Sequence, residues 1–318
     1  MSIAKSGLTT PRQDLQGAFN QGLLDFTPAC MQVMRPFGVD KETGTLEVIP
    51  LDVLAAAPTN LQREKDGSFP NVGRGRANVS FALQAYGIEE NYDDEDRSEL
   101  EDSFAIEANI AQRIQSIVYR DQERRFAAIM NATDYAAGTR GHTAANKWSD
   151  PANGDPAFDI KKGIQNRYDA TGFVMDTLVC DWASVWDMQN NNNLWKNAKY
   201  VNNIDGTPNL TLIAQQLGIQ RIVVMGGRVN SAKEGQTASL SKLSVVSGTG
   251  AFLCKTAQTD SIDDAAWGRC LYSTKYAGLM TVDQYRKDGI EADIFRAKQK
   301  VQEKVLWNEL GYLIQTVA

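Results

Sequence analysis

The sequence has very little of the material from which catalytic and metal sites are usually built. His142 is the only histidine among 318 residues, and it lies in a segment rich in Gly, Thr and Ala. Catalytic triads and most zinc sites require histidine with correctly spaced partners. The sequence also lacks a GxxxxGK[ST] loop, a GxSxG elbow and an HExxH pair. These absences predict a structural or surface role for His142, and no catalytic residue, cofactor or metal site.

Cysteine is scarce, and long apolar runs are missing. The four cysteines form no CxxC pair, which predicts four reduced, mostly buried thiols in a chain that folds in a reducing cytoplasm. No window approaches the ~20 apolar residues that cross a bilayer. The first residues lack an apolar core of signal-peptide length, so we expect no membrane contact. The cysteines are Cys30, Cys180, Cys254 and Cys270.

An excess of basic residues is also absent. The chain carries 33 Lys and Arg against 39 Asp and Glu, a net charge of −6. Proteins that mainly bind nucleic acid are usually basic, because each neutralised phosphate needs a Lys or Arg. The charge balance argues against a dedicated DNA-reading protein. It is compatible with a protein that lies near DNA confined by something else.

The N-terminal third predicts protruding structure. Residues 1–43 are polar and short of periodic apolar faces, which is typical of an arm. Residues 45–51 favour extended structure, and residues 78–85 alternate as a strand does, so two strands flank a long polar stretch. An isolated two-stranded ribbon is only marginally stable in water and needs a partner surface. The candidate contacts between subunits are Leu61, Lys65, Phe69, Val79, Phe81 and Leu83.

A long helix follows. Ser98 and Glu101 match a capping box, and apolar residues then recur every three or four positions with no Pro or Gly before Gly138. The pattern predicts a helix over residues 98–132 with one apolar stripe. Its other face carries four arginines that are weak candidates for a basic inner surface; solvation or pairing between subunits is the favoured interpretation. They are Arg113, Arg120, Arg124 and Arg125.

The second half alternates helical and extended segments. Residues 134–156, rich in Gly, Asn, Asp and Pro, form the best internal boundary. Beyond them the order is helix, strand, helix, helix and strand, with Gly218 as a helix C-cap. Further extended segments close the chain. This order is typical of a mixed α/β body, in which tryptophans are usually core or interface anchors.

Short motifs in this half resemble the central region of tailed-phage major capsid proteins. They are WSDP from Trp148, DI from Asp159, TGF from Thr171, DTLVCDW from Asp176, LTLIAQQLG and IQRIVVMGGRVNSAKEG. The order of elements along the whole chain is similar as well. The resemblance implies the Hong Kong 97-like capsid fold, an α+β fold. Its parts would be an N-terminal arm (1–43), an extended β-hairpin loop (44–92), a peripheral domain with a spine helix (93–147 and 269–306) and a mixed α/β axial domain (148–268 and 307–318).

The resemblance also implies a function. The chain would be a structural protein that assembles into an icosahedral phage shell as hexamers and pentamers. Its partners would be copies of itself, a portal protein, scaffolding or decoration proteins, and packaged DNA without sequence-specific binding. Its location would be the virion capsid, assembled in the host cytoplasm. Three alternatives stay open: an encapsulin-like nanocompartment shell, a soluble α/β enzyme, and a phage tail or decoration protein.

Overall fold

The fold is described from a computed structural model of the chain. Several sequence predictions lie outside the described residues, namely Leu61, Lys65, Phe69, the Ser98 and Glu101 capping pair, and most of residues 1–27. The described residues are 10–11, 28–54, 63, 67, 75–94, 103–135, 138–195, 209–230, 240–242, 250–276 and 278–315.

A six-stranded sheet forms one half of the body. Its strands are β1 (Thr10–Pro11), β2 (Pro36–Val39), β5 (Gln84–Asp93), β12 (Gly268–Ser273), β13 (Thr281–Lys287) and β14 (Ala292–Val305). They run in the order β1–β13–β14–β12–β2, and β5 also pairs with β14. Only β2 and β12 are parallel. The long strand β14 holds the sheet together because it pairs with three others.

One long helix packs across this sheet. α3 (Ser103–Met130) contacts β14 and β5. The predicted spine helix is confirmed over its described length, and it ends at Met130 rather than at residue 132. At ~1.5 Å per residue its 28 residues span ~42 Å. Its buried stripe recurs at the predicted spacing and includes Ala111, Ile114, Val118, Phe126 and Met130.

A two-stranded ribbon precedes β5. It consists of β3 (Thr43–Val48) and β4 (Ala77–Ala82), which are antiparallel, so the predicted hairpin strands are confirmed. Two details differ from the prediction. A short helix, α2 (Leu51–Leu54), begins where the sequence favours extended structure. The chain leaves the ribbon at Leu83 and continues as β5 in the six-stranded sheet, so the expected loop of residues 44–92 includes a strand of the body.

A five-stranded sheet forms the other half of the body. Its strands are β6 (Gly141–Thr143), β7 (Thr177–Asp181), β8 (Arg221–Met225), β11 (Ala251–Cys254) and β15 (Gly311–Gln315). They run in the order β6–β15–β11–β7–β8. The two outer pairs are parallel and the two inner pairs are antiparallel. A small separate hairpin is formed by β9 (Arg228–Asn230) and β10 (Leu240–Lys242).

In the described part of the chain, four helices accompany the five-stranded sheet. They are α4 (Pro156–Thr171), α5 (Trp182–Asn190), α6 (Asn192–Trp195) and α7 (Leu210–Leu217). α4 contacts β15 and β11, α5 contacts β7 and β8, and α7 contacts both α4 and α5. The predicted C-cap is confirmed, because Gly218 has φ 74° and donates its N–H to the carbonyl of Ala214. No helix of the described chain is long and apolar enough to cross a membrane.

Close approach of α4 to the sheet depends on one glycine. A Cβ atom added at Gly163 would lie 2.8 Å from Leu253 Cδ1 and 2.9 Å from Tyr312 Cδ1. Both distances are too short for carbon atoms, so a larger residue here would push the helix off β11 and β15.

Short 3₁₀ turns complete the described elements, at Thr133–Tyr135, Asp288–Ile290 and Asn308–Leu310.

The two halves share one hydrophobic core. Trp267 lies at the junction, with its ring centroid 5.9 Å from that of Phe126 in α3 and 4.7 Å from that of Phe252 in β11. The Trp267 Nε1–H donates to the Tyr135 hydroxyl at 2.6 Å. Because these aromatic contacts cross from one sheet to the other, the halves are packed as one body.

The root of the predicted arm belongs to this body. α1 (Ala29–Val33) is buried in the shared core, and β2 pairs with β12. Residues 29–39 therefore pack as part of the body, and the arm of residues 1–43 as a unit stays a prediction. All four cysteines are buried, as predicted, and none is paired in a disulfide.

Candidate assembly surfaces

The ribbon of β3 and β4 is partly covered by the body. Phe81 and Leu83 are buried together with Val39 and Leu271, and the half-buried Val79 packs against the main core. Their own subunit thus already covers Phe81 and Leu83, and contact of Val79, Phe81 and Leu83 with a neighbouring subunit stays a prediction. The candidate contacts outside the described residues remain predictions: Leu61, Lys65 and Phe69.

The outer side of the ribbon stays open. Thr43, Thr45 and Glu47 of β3 and Asn78 and Ser80 of β4 are exposed. Among the described residues no third strand pairs with the ribbon, so each of its two strands has an edge without a strand partner. Such edges pair readily with another chain.

A groove of about 380 Å³ lies between the base of the ribbon and the segment that follows β14. Asp52 and Glu309 add two carboxylates to a mainly apolar lining. The indole N–H of Trp307 donates to the Ile49 carbonyl at 3.1 Å, which ties the segment to the ribbon. The groove can accept an apolar side chain from another segment. Its apolar lining includes Val48, Pro50, Leu51, Val79, Leu306 and Trp307.

Arg125, one of the predicted basic residues of α3, is paired inside the subunit. It forms an ion pair with Asp121 one turn earlier and a two-pronged pair with Glu303 of β14, at 3.1 and 3.3 Å. Its guanidinium also lies 3.6 Å from the centroid of the Tyr86 ring. Because the Glu303 side chain is almost fully buried, Arg125 chiefly neutralises a charge inside the protein.

The other three arginines of this face lie closer to solvent. Arg113 pairs with Glu90 of β5 through two guanidinium nitrogens. Arg124 pairs with Asp121 at 2.6 Å but stays largely exposed. Arg120 is exposed. Carboxylates of the same subunit thus offset much of the positive charge of α3, and a location of this face on the inside of a shell remains a prediction.

A buried carboxyl joins α3 to the root of the arm. Glu123 Oε1 accepts the backbone N–H of Ala29, and Oε2 has no hydrogen-bond partner among the described residues. Burial raises the pKa of Glu123 to about 7, against the opposing effect of backbone hydrogen bonds from Ala29 and Cys30. Sequence reasoning missed this residue, because α1 precedes it by 94 positions and no local pattern reports the contact.

The single histidine lies in a hydrogen-bonded cluster at one edge of the five-stranded sheet. His142 Nδ1 is 3.0 Å from the Tyr312 hydroxyl, and Nε2 is 3.3 Å from Asp159 Oδ1. Asp159 Oδ2 accepts the indole N–H of Trp148 at 2.9 Å. The cluster ties β6, β15 and α4 together, which is a structural arrangement. Within the described residues, no group of three or more His, Cys, Asp and Glu side chains could hold a metal ion.

Exposed aromatic side chains mark a further surface on α4 and α5. Trp182 and Trp186 are 60% and 65% exposed, and Phe158 is 61% exposed. Sequence reasoning did not separate these tryptophans from those of the core. The signal that separates them is the i, i+4 spacing of Trp182 and Trp186, which differs from the i, i+3 pair formed by the fully buried Val185 and Met188 on the same helix.

Comparison with known proteins identifies relatives of the fold. No protein-family model matches the chain, and no curated protein matches its sequence. A phage-related protein from Bordetella bronchiseptica matches with a TM-score of 0.73 and 15% identity, over 97% of this chain and 98% of that chain.

Two further structures match over almost the whole chain. The mature capsid of bacteriophage PhiM1 matches with a TM-score of 0.57 and 11% identity, over 99% of this chain and 91% of that chain. A virus-like particle from Pyrococcus furiosus matches with a TM-score of 0.53 and 10% identity, over 96% of this chain and 97% of that chain. At these identities the similarity shows a shared fold, and the expected α+β fold is confirmed.

Proposed function

We propose that this chain, which has the Hong Kong 97-like capsid fold, is a structural subunit that assembles with copies of itself into the closed shell of a tailed phage. The observation that carries the proposal is the β3–β4 ribbon, whose outer edges have no strand partner among the described residues. A two-stranded ribbon is stable only with further support. A copy of the same chain supplies that support in a shell, and structures with this fold include a mature phage capsid.

Neighbouring copies meet through different surfaces. Contacts of this head-to-tail kind close into rings when the rotation between copies is a whole fraction of a turn. The ribbon reaches across the adjacent subunit, and the five-stranded sheet with its helices faces the centre of each pentamer or hexamer. Many modest contacts per subunit then add up, because each one raises the effective concentration for the next.

In this proposal the shell encloses DNA but binds it only weakly. The chain has a net charge of −6, and Arg113, Arg124 and Arg125 of α3 are paired with carboxylates of their own subunit. Few phosphate contacts are therefore expected, and weak contacts leave a packaged genome free to move. A portal protein, scaffolding or decoration proteins and assembly in the host cytoplasm complete the proposal.

Electron microscopy of the protein expressed alone tests the proposal. We expect uniform closed particles, together with a sedimentation coefficient far above that of a 35.0 kDa monomer. A compact monomer with both ribbon strands shielded by its own chain would overturn the proposal.

Dissociated subunits should bind duplex DNA only weakly in a filter-binding assay at physiological salt. Tight binding would contradict the proposal that the shell makes few phosphate contacts.

A shell around other contents is the second candidate function. The virus-like particle from Pyrococcus furiosus has the same fold, so the fold is compatible with shells that are not virions. The contents of purified particles distinguish the two candidates. Nuclease-protected DNA supports the phage shell, whereas co-purified cargo protein without nucleic acid supports a cellular nanocompartment.

A further inference from the structure

The exposed face of α5 carries an unusual amount of apolar surface. Trp182 and Trp186 stand one turn apart and are both more than half exposed, although Val185 and Met188 on the same helix are fully buried. The helix therefore has apolar residues both on its buried part and on its exposed part, and only the first set is covered. A buried tryptophan removes 150–250 Å² from water, and tryptophans are among the residues that dominate protein interfaces.

A second exposed aromatic face lies on α4. Phe158 and Tyr168 are 61% and 53% exposed, and the Lys162 ammonium lies 5.9 Å from the centroid of the Phe158 ring. Lys161 and Lys162 are also exposed. This face therefore combines aromatic surface with two positive charges.

The two faces lie on helices that contact different strands of the five-stranded sheet. α4 lies over β15 and β11, α5 lies over β7 and β8, and α7 contacts both helices. In the strand order of the sheet, β15 and β8 are separated by β11 and β7. Two different surfaces on one subunit are what a head-to-tail ring requires, because each copy must offer one surface to each neighbour.

The chemistry of the two faces is complementary. The only charged residue of α5 is Asp187, so its exposed face is made of electron-rich indole rings without positive charge. Lysine ammonium groups are attracted to the face of an indole ring, and more strongly when water is excluded. The lysines of α4 thus fit the tryptophans of α5 better than a second α5 does.

We propose that Trp182 and Trp186 of one copy pack against the Phe158 and Lys162 face of α4 in the next copy, around the centre of each capsomer. The inference rests on the proposed shell function and names the residues that close the ring. The occupant is a second copy of this chain because both complementary surfaces are present on the same subunit. A symmetric contact between two α5 helices is the arrangement that it excludes.

Cysteine probes next to the two faces test the contact directly. Asn190 follows Trp186 by four positions, and Gln165 follows Lys162 by three, so Asn190→Cys and Gln165→Cys label the faces without removing the contact residues. The native cysteines are buried and should not react with maleimides. A short bismaleimide added to particles of the double variant should give a ladder of linked chains on a denaturing gel, and neither single variant should.

Each outcome of the cross-linking decides one question. A ladder from the double variant alone supports the proposal. Dimers from Asn190→Cys alone would show a symmetric α5 contact and overturn it, as would intact double-variant particles that give no ladder. If the unsubstituted protein forms no particles at all, the proposed function fails and this inference falls with it.

A substitution series gives an independent readout. The double variant Trp182→Ser/Trp186→Ser should keep the thermal unfolding midpoint of the dissociated subunit, because both side chains are exposed. It should raise the protein concentration needed for assembly by about tenfold or more. Ile290→Ser, which removes an exposed apolar side chain between β13 and β14, is the matched control and should assemble normally. Normal assembly of the tryptophan variant would overturn the proposal.

Discussion

The five-stranded sheet and the β3–β4 ribbon differ in how completely the subunit covers them. Every residue of β7 and β11 is buried, and helices α4 and α5 pack on these strands. In β3 exposed residues alternate with covered ones, and the ribbon lacks a third strand among the described residues. The central strands of the five-stranded sheet are therefore covered by their own subunit, whereas the ribbon has exposed surface that another subunit could cover.

The largest effect on subunit stability is expected in the covered region. Phe252→Ala removes a fully buried ring that contacts Tyr135 and Trp267, with centroid distances of 5.1 and 4.7 Å. Loss of such a ring and the remaining cavity should lower the free energy of unfolding by about 3–5 kcal/mol. Urea denaturation of dissociated subunits measures it. Thr45→Ala on the open side of the ribbon is the control, and it should change the free energy of unfolding by less than about 0.5 kcal/mol. Equal losses at the two sites would contradict the difference in burial between the five-stranded sheet and the ribbon.

A smaller, pH-dependent effect is expected where the arm meets α3. The pKa of Glu123 is raised from 4.5 to about 7, mainly by burial, so folding favours the protonated carboxyl. Its contribution is fully present below about pH 4.5 and is lost as the pH rises through about 7. The wild-type free energy of unfolding should therefore lose about 2–3 kcal/mol from this group between pH 5 and pH 8.

Glu123→Gln isolates that contribution. The amide keeps an oxygen that can accept the Ala29 N–H but cannot ionise, so the variant should lack this part of the pH dependence. Urea denaturation of both proteins at pH 5 and pH 8 gives the comparison. A variant with the same pH dependence as the wild type would show that folding does not raise the pKa of Glu123.

Two ion pairs on α3 should differ in how much they contribute to the free energy of unfolding, because one is buried and the other is exposed. Arg125→Ala leaves the buried Glu303 carboxylate without its partner, and the free energy of unfolding should fall by about 2 kcal/mol. Arg124→Ala removes an exposed pair with Asp121 and should cost less than about 0.5 kcal/mol. The two residues are adjacent in the chain, so equal losses in denaturation experiments would contradict the assigned burial.

The sequence predicted best those features that depend on local spacing. α3 and α7 follow from apolar residues repeated every three or four positions, and Gly218 ends α7 in the left-handed conformation expected of a C-cap. Strand alternation located the ribbon. These patterns are visible because each element must present one face to a core, whatever that core is.

The sequence did not reveal features that depend on residues far away in the chain. β5 pairs with β14, which lies some two hundred positions later, and no local pattern reveals whether Phe81 and Leu83 meet their own chain or another. The same holds for Glu123, whose burial requires α1. The exposure of Trp182 and Trp186 was also hidden, because a core tryptophan and an interface tryptophan look alike in a sequence.

A change in the stretch between the two ribbon strands should have the smallest effect on the stability of the subunit. Its effect on particle assembly should be large. Deletion of residues 61–74 should leave the free energy of unfolding of the dissociated subunit unchanged within about 0.5 kcal/mol, because the core formed by the described residues is built from other parts of the chain. Closed particles should nevertheless be lost, since we propose that this stretch contacts the neighbouring subunit. Sedimentation and electron microscopy measure assembly.

A matched variant separates the side chains of this stretch from its length. Replacing residues 61–74 with a Gly/Ser segment of equal length keeps the chain connection but removes Leu61, Lys65 and Phe69. If these side chains carry the contact, this variant should fail to assemble as the deletion does. If only the deletion fails, length or backbone pairing of the ribbon holds the neighbour instead. Particles of normal yield and stability from both variants would show that residues 61–74 have no part in joining subunits.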